Sequence, residues 1–234
     1  MPEQSAVLVI PALNEAPVIG STLARVPPGM FRDVIVADNG STDGTAEAAA
    51  RGGATVVRCE ERGYGAACLA ALGAISDDVV AVVFMQADGS EDPREAGRLL
   101  SPIFDGRADL VLGSRVLGLA SRGSLLAHQK FGNWLATTLV RLFWGHAYTD
   151  LGPFRAVRLP SLRSLGMRDR NYGWTIEMQV RAIQHGLRVM EIPVSYGLRV
   201  AGENKVSGNA KASVMAGIKI LAVIARLLTN PRPS

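Results

Sequence analysis

Residues 85–90 read Met85-Gln86-Ala87-Asp88-Gly89-Ser90, directly after the apolar run Val79 to Phe84. An unbroken apolar run of that length predicts a strand buried on both faces, as in a parallel sheet. Gly89 then opens a turn. An acid in such a turn lies at the carboxyl edge of the sheet, where open α/β folds bind their ligands. A carboxylate there is suited to hold a divalent cation against phosphates. The pattern recurs upstream. Val7 to Ile10 runs into Pro11-Ala12-Leu13-Asn14-Glu15, and Val34 to Ala37 into Asp38-Asn39-Gly40-Ser41-Thr42-Asp43-Gly44-Thr45. Three predicted strands therefore each deliver a carboxylate at the same end.

Working outward, the first half alternates the two periodicities. Strand signals at Thr55–Arg58 and Leu110–Leu112 join the three above. Helix signals fall between them at Pro17–Val26, Thr45–Arg51, Gly65–Ile75 and Pro93–Phe104. Asp92 is placed to cap the last of these, with Pro93 at its first position. This alternation predicts a mostly parallel α/β sheet with helices on both faces. The second half is less regular. It predicts a helix over Phe131–Phe143, a short strand over Phe154–Val157, a helix over Thr175–His185 and a strand over Val189–Tyr196. Gly197–Lys211 reads as a mobile polar loop, and Ala212–Leu228 as a final helix. With no linker or internal repeat, the 234 residues read as one domain, with a binding half to residue 114 and an elaborated half after it.

The net charge of +4 hides an asymmetry. Residues 1–114 hold 8 Lys and Arg against 16 Asp and Glu, a balance of −8, whereas residues 115–234 hold 17 against 5, a balance of +12. The acidic half suits a metal; the basic half suits phosphate groups or an anionic membrane surface. Nucleic acid is not expected as a partner, because no nucleic-acid module or Lys/Arg block is present. Two cysteines, Cys59 and Cys68, give no disulfide framework and fit a reducing compartment. With no secretory signal at the N-terminus, a cytoplasmic location is expected, including the inner face of the cell membrane. The final helix is too short and too charged to span a bilayer. On a helical wheel Val214, Ile218, Leu221, Ala225 and Leu228 share one face, and Lys219 and Arg226 share another. That pattern reads either as a helix on the core or as a helix in a membrane interface.

Taken together, these motifs resemble family 2 nucleotide-sugar glycosyltransferases of GT-A type. Pro11 to Glu15, Asp38 to Thr45 and Asp88 look like the donor-site motifs. Gly113-Ser114-Arg115, Asp150-Leu151-Gly152-Pro153-Phe154-Arg155 and Tyr172-Gly173-Trp174-Thr175-Ile176-Glu177 resemble the branch of dolichyl-phosphate mannose synthases and bacterial polyprenyl-phosphate glycosyltransferases. The resemblance runs from about Val7 to about Leu228.

It implies an inverting transfer of a hexose from a nucleotide-diphosphate sugar, with Mg²⁺ or Mn²⁺ as cofactor and a polyprenyl phosphate as acceptor. The donor would contact Pro11, Leu13, Asn14, Glu15, Asp38, Gly40 and Ser41. Gly63, Tyr64 and Gly65 of the glycine-rich turn, with Gln86, Ala87 and Asp88, would complete its site. The family usually carries Asp-x-Asp where this chain has Gln86-Ala87-Asp88, so one carboxylate is missing and the metal would lean on Asp88 and Ser90. Arg115 and Arg155 would face phosphates, since guanidinium groups bind them bidentately, with Asp150 orienting an arginine or the acceptor. Arg199 and Lys205 would clamp the acceptor from a loop that closes. Glu177 would be a general base for a hydroxyl acceptor, but an ionised phosphate needs none. Asn204-Lys205 departs from the branch's usual Ser-Lys, which keeps a soluble or small lipid hydroxyl acceptor as an alternative. Gln86 also keeps open a nucleotide-binding pseudoenzyme. A Rossmann dehydrogenase would need G-x-G-x-x-G after the first strand, and Pro11 to Glu15 stands there instead.

Overall fold

Along the first strand Val7 and Val9 face one side of the sheet while Leu8 and Ile10 face the other, and both sets are buried. That alternation, repeated in neighbouring strands, builds two hydrophobic cores, one on each face. The computed structural model describes residues 5–118, 120, 124–200 and 210–229. Its elements run β1 (Ala6–Ala12), α1 (Ala16–Ala24), β2 (Asp33–Asp38), α2 (Thr45–Arg51), β3 (Thr55–Arg58), α3 (Tyr64–Gly73), β4 (Ala81–Phe84) and α4 (Ala96–Phe104). They continue as β5 (Leu110–Ser114), α5 (Ala127–Trp144), β6 (Arg155–Arg158), α6 (Leu159–Ser164), α7 (Trp174–Gln184), β7 (Val189–Pro193) and α8 (Ala210–Thr229). The expected elements are all present, with ends shifted by a few residues.

The sheet order is β3-β2-β1-β4-β6-β5-β7. Strands β2 and β3 leave β1 on one side and β4 lies on the other, all parallel. A crevice therefore opens between the carboxyl ends of β1 and β4, at the switch point of an open α/β sheet. Strand β6 inserts antiparallel between β4 and β5. This insertion brings the segment 145–154 back across the carboxyl edge. One core packs β1, β4 and β5 against α3, α5, α7 and α8, where Phe84 meets Trp174 edge to face at 6.1 Å. Such a pair adds about 1 kcal/mol beyond the burial of each ring. The other core packs the opposite face against α1, α2 and α4 through Ile19, Leu23, Leu99 and Ile103.

The expected geometry of the final helix needs correction. Val223, Ile224 and Leu227 are its core-facing residues, whereas Ile218, Leu221 and Leu228 are exposed; the side chain of Val214 lies outside the described residues. Arg226 does not stand with Lys219 toward a membrane. It turns inward, and its Nη2 donates to Glu177 Oε1 at 3.1 Å. The wheel located an apolar face correctly but could not say which face the core takes, because α8 carries apolar residues on both. No described helix is long and apolar enough to cross a membrane. The polar loop over 197–211 lies mostly outside the described residues, and Lys205 with it.

Candidate functional site

The crevice at the switch point is a cavity of about 280 Å³ lined by Pro11, Leu13, Glu15, Gly63, Tyr64, Gln86, Ala87, Asp88 and Arg199, with Asn39, Arg62, Asn171 and Tyr172. Hydrogen bonds lock the loop after β1, which lines it, to the loop after β2. Asn14 N donates to Ser41 Oγ at 2.9 Å, Thr42 N to Asn14 Oδ1 at 2.8 Å, and Glu15 N to Thr45 Oγ1 at 2.8 Å. Asn14 takes the left-handed conformation (φ 49°), which a short polar side chain tolerates. Asn14 and Ser41 thus brace these two loops.

Asp88 Oδ1 accepts from Ser90 N at 3.0 Å and from Ser90 Oγ at 2.6 Å. Its Oδ2 lies 3.3 Å from Arg199 Nη1, and the same guanidinium pairs with Glu15 Oε1. Glu15 and Asp88 therefore converge on one cation in this structure. Behind the loop, Thr22 Oγ1 donates to Ala87 O at 3.1 Å, and Arg25 pairs with Glu91 O. From the front, Gly197 N donates to Ser90 O at 2.7 Å and Val200 N to Asp88 O at 3.1 Å. Gly89 sits at φ +76°, and a Cβ on it would meet Val200 Cγ2 at 2.7 Å, so glycine is required twice over.

Oxygen-only donors converging on a cation fit a hard divalent ion. Among the described residues no group of three His, Cys, Asp or Glu forms a metal cage. Few protein ligands and an open side suit Mg²⁺ or Mn²⁺ shared with substrate phosphates. Asp88, Ser90 and Glu15 are the residues that would hold it. Glu91 is the next acid. It is buried, its Oε2 accepts from Gln86 N at 2.8 Å, and its Oε1 has no partner among the described residues. Burial, with Asp88 nearby, pushes its carboxyl up to about 8. Burial thus disfavours the charged form of Glu91, which makes it a poor replacement for the missing carboxylate at Gln86.

Several residues sit elsewhere than the motifs implied. Asp38 uses Oδ1 to accept from Ser41 N at 3.1 Å. With Gly40 and Ser41 it lines a separate cavity of about 270 Å³ beside Arg58 and Glu60. Its neighbour Asn39 reaches the main cavity instead, because successive side chains at a strand end point to opposite sides. Asn39 Oδ1 accepts from Gly63 N at 2.7 Å and Nδ2 donates to Glu61 O at 2.6 Å, fixing the glycine-rich turn. Arg199, expected on the acceptor side, lines the 280 Å³ cavity with Asp88 and Glu15. Gly65 packs beneath the carbonyl of Asp169 and does not line it.

Arg155 and Glu177 are the larger corrections. Arg155 is 1% exposed, and its guanidinium donates to backbone carbonyls, among them Thr175 O at 3.1 Å and Gly152 O. Burial pulls its basicity below the ordinary arginine range. It ties the turn before β6 to the start of α7 and lines neither the 280 Å³ cavity nor the one beside Arg115. Glu177 is fully buried. Its Oε2 accepts from the backbone N–H of Arg168 at 3.0 Å and of Asp169 at 2.6 Å, and its Oε1 pairs with Arg181 and Arg226. A carboxylate so enclosed cannot take a proton from an acceptor.

Arg115 and Asp150 pair with each other at the edge of a second cavity. Arg115 Nε donates to Asp150 Oδ2 at 2.8 Å and Nη2 to Oδ1 at 2.7 Å, a bidentate pair. The guanidinium also stacks over Tyr196 at 5.1 Å. Burial works against its charge, but the Asp150 pair keeps it firmly protonated. Behind it, Thr149 N and Oγ1 and Asp150 N all donate to Glu191. The cavity that the pair borders, about 480 Å³, is lined also by Gln129, Lys130, Asn133, Trp134 and Thr137.

Comparison with known proteins bears on this architecture. The model of glycosyl transferase family 2 matches residues 7–166. The chain belongs to that family. An uncharacterised glycosyltransferase of Mycobacterium tuberculosis is 38% identical over 96% of this chain and all of its own length. The undecaprenyl-phosphate mannosyltransferase of Micrococcus luteus is 29% identical over 93% of this chain and 94% of its own. Among solved structures, glucosyl-3-phosphoglycerate synthase from Mycobacterium tuberculosis, in complex with Mn²⁺, UDP-glucose and phosphoglyceric acid, superposes with a TM-score of 0.79. The match is 24% identical and covers 99% of this chain and 81% of that one. The fold is thus the GT-A fold of family 2 enzymes.

Proposed function

We propose that this glycosyltransferase moves a hexose from a nucleotide-diphosphate sugar to a polyprenyl phosphate, with inversion at the anomeric carbon. The donor would occupy the 280 Å³ cavity, its nucleotide between Asn39, Gly63 and Tyr172 and its diphosphate toward Asp88. A divalent ion at Asp88 and Ser90 would neutralise the departing diphosphate. Arg199, already on Asp88 and Glu15, stands where it can turn to the phosphates. The acceptor phosphate would meet Arg115, which Asp150 holds in orientation.

The observation that carries the reading is the second cavity. It joins a fixed arginine and Lys130 to an aromatic wall at Trp134, which suits an anionic head with an apolar tail. The rings of Trp134 and Phe131 pack at 5.7 Å on the exposed side of α5, and Phe131 lines an apolar cavity with Ile220 and the exposed Leu221 of α8. Exposed apolar residues of this kind, with Lys130 and Lys219 nearby, suit contact with an anionic membrane surface. The enclosure of Glu177 is a second support, since a phosphate acceptor arrives ionised and needs no base.

The test is transfer by the purified chain with Mn²⁺ and either UDP-glucose or GDP-mannose. Undecaprenyl phosphate, phosphoglyceric acid and a simple alcohol would be compared as acceptors. Faster transfer to the lipid phosphate is expected, together with salt-sensitive binding to anionic vesicles. Preference for phosphoglyceric acid, which is bound in the structural neighbour, would replace the lipid with a soluble phosphate.

A further inference from the structure

The cluster around Glu177 is buried, charged and unused by the chemistry above. It lies beneath the segment 168–173, which supplies Asn171 and Tyr172 to the donor cavity. The same segment presses on the glycine-rich turn. Ala66 N donates to Arg170 O at 2.9 Å. A Cβ on Gly63 would come within 2.0 Å of Arg170 O, and one on Gly65 within 2.0 Å of Asp169 O. The shape of the donor cavity therefore depends on where this segment sits.

Two acids hold it from below. Glu177 takes the N–H groups of Arg168 and Asp169, and Asp169 Oδ1 takes those of Asn171 at 2.8 Å and Gly173 at 3.0 Å. Both acids are within 2% of full burial, so their charges need partners in place. Arg181 answers Glu177 at 3.1 Å, but it lies one turn along the same helix and moves with it. Arg226 comes from another element. Its Nη2 is 3.1 Å from Glu177 Oε1 and 4.0 Å from Asp169 Oδ2. Helix α8 closes on the segment at the same place, where a Cβ on Gly173 would meet Val223 Cγ2 at 2.4 Å.

We propose that Arg226 is a positioning residue of the donor site. By neutralising Glu177 and Asp169 together, it fixes the segment 168–173 against the glycine-rich turn and so holds Asn171, Tyr172, Gly63 and Tyr64 in their binding arrangement. The inference rests on the reading of the 280 Å³ cavity as the nucleotide-sugar pocket. It also gives α8 a second task. The helix whose outer face carries Ile218, Leu221 and Leu228 braces the donor pocket with its inner face.

The test uses the full chain with Arg226→Gln, Arg226→Lys and Asp169→Asn, and UDP and GDP as separate probes with Mn²⁺. Calorimetry on Arg226→Gln should show nucleotide affinity lower by about three- to tenfold. The donor KM should rise in proportion, while the acceptor KM and kcat change less. Arg226→Lys should recover most of the affinity, because it restores the charge. In an Asp169→Asn background the Arg226→Gln loss should shrink, since the two residues act through one contact. A folded Arg226→Gln with wild-type nucleotide affinity overturns the proposal, as does a loss that simply adds to that of Asp169→Asn. Should Arg226→Gln fail to fold, Asp169→Asn alone decides: unchanged affinity overturns the idea and a loss supports it. If the wild-type chain binds neither nucleotide, the donor-site reading itself fails, whereas wild-type binding with an unaffected variant sinks this inference alone.

Discussion

The acidic half and the basic half place their charged residues by different means. Between residues 5 and 114, Glu15 and Asp88 stand at strand ends and face an open crevice. After residue 114, Arg155, Asp169 and Glu177 are within 2% of full burial, while of the arginines in the implied motifs Arg115 and Arg199 border the two cavities and Arg155 borders neither. A charge at the carboxyl edge of a parallel sheet is exposed to ligand by the topology. A charge on an inserted antiparallel strand or a packed helix is as readily a strut.

Asp88→Ala is the hardest test of the first half. If the donor binds as proposed, loss of the carboxylate facing its diphosphate should cut turnover by about a hundredfold or more with the fold intact. A folded variant with near-normal turnover would break the assignment. In the second half, the two arginines should separate. Arg115→Lys keeps the charge but loses the bidentate pair, and should raise the acceptor KM by about tenfold with nucleotide affinity unchanged. Arg155→Met should act on stability, costing about 1–3 kcal/mol in urea unfolding because buried carbonyls lose their donor. An Arg155 variant with wild-type stability and a raised acceptor KM would reverse their roles.

A smaller effect would sharpen the boundary at the end of β2. Asn39→Ala should weaken nucleoside diphosphate binding by a factor of about five, because the Glu61–Gly63 turn loses its anchor, a side-chain bond worth about 1 kcal/mol. Asp38→Ala should weaken it less. Calorimetry giving the opposite order would return Asp38 to the donor site. The smallest change is expected from Gln86→Asp, which restores a second acid beside Asp88. Mn²⁺ binding followed by paramagnetic resonance should tighten by a few-fold, and weaker binding would mean that this position faces away from the ion.

The sequence by itself determined the fold class, the alternation of the first half, and the three strand ends that converge at the switch point. Those features depend on local periodicity and on a topology that parallel strands almost force. It also marked Asp88, Ser90, Arg115 and Asp150, because their motifs sit where elements end. Tertiary structure decided the rest. At β2, a one-residue choice between Asp38 and Asn39 rests on strand orientation at the crevice. For Arg155 and Glu177, the motif types matched but the antiparallel insertion of β6 and the packing of α7 buried them. For Arg226, the wheel offered two apolar faces, and only the docking of α8 onto the segment 168–173 chose between them. Burial and partner choice depend on contacts far apart in the chain, which no local pattern records.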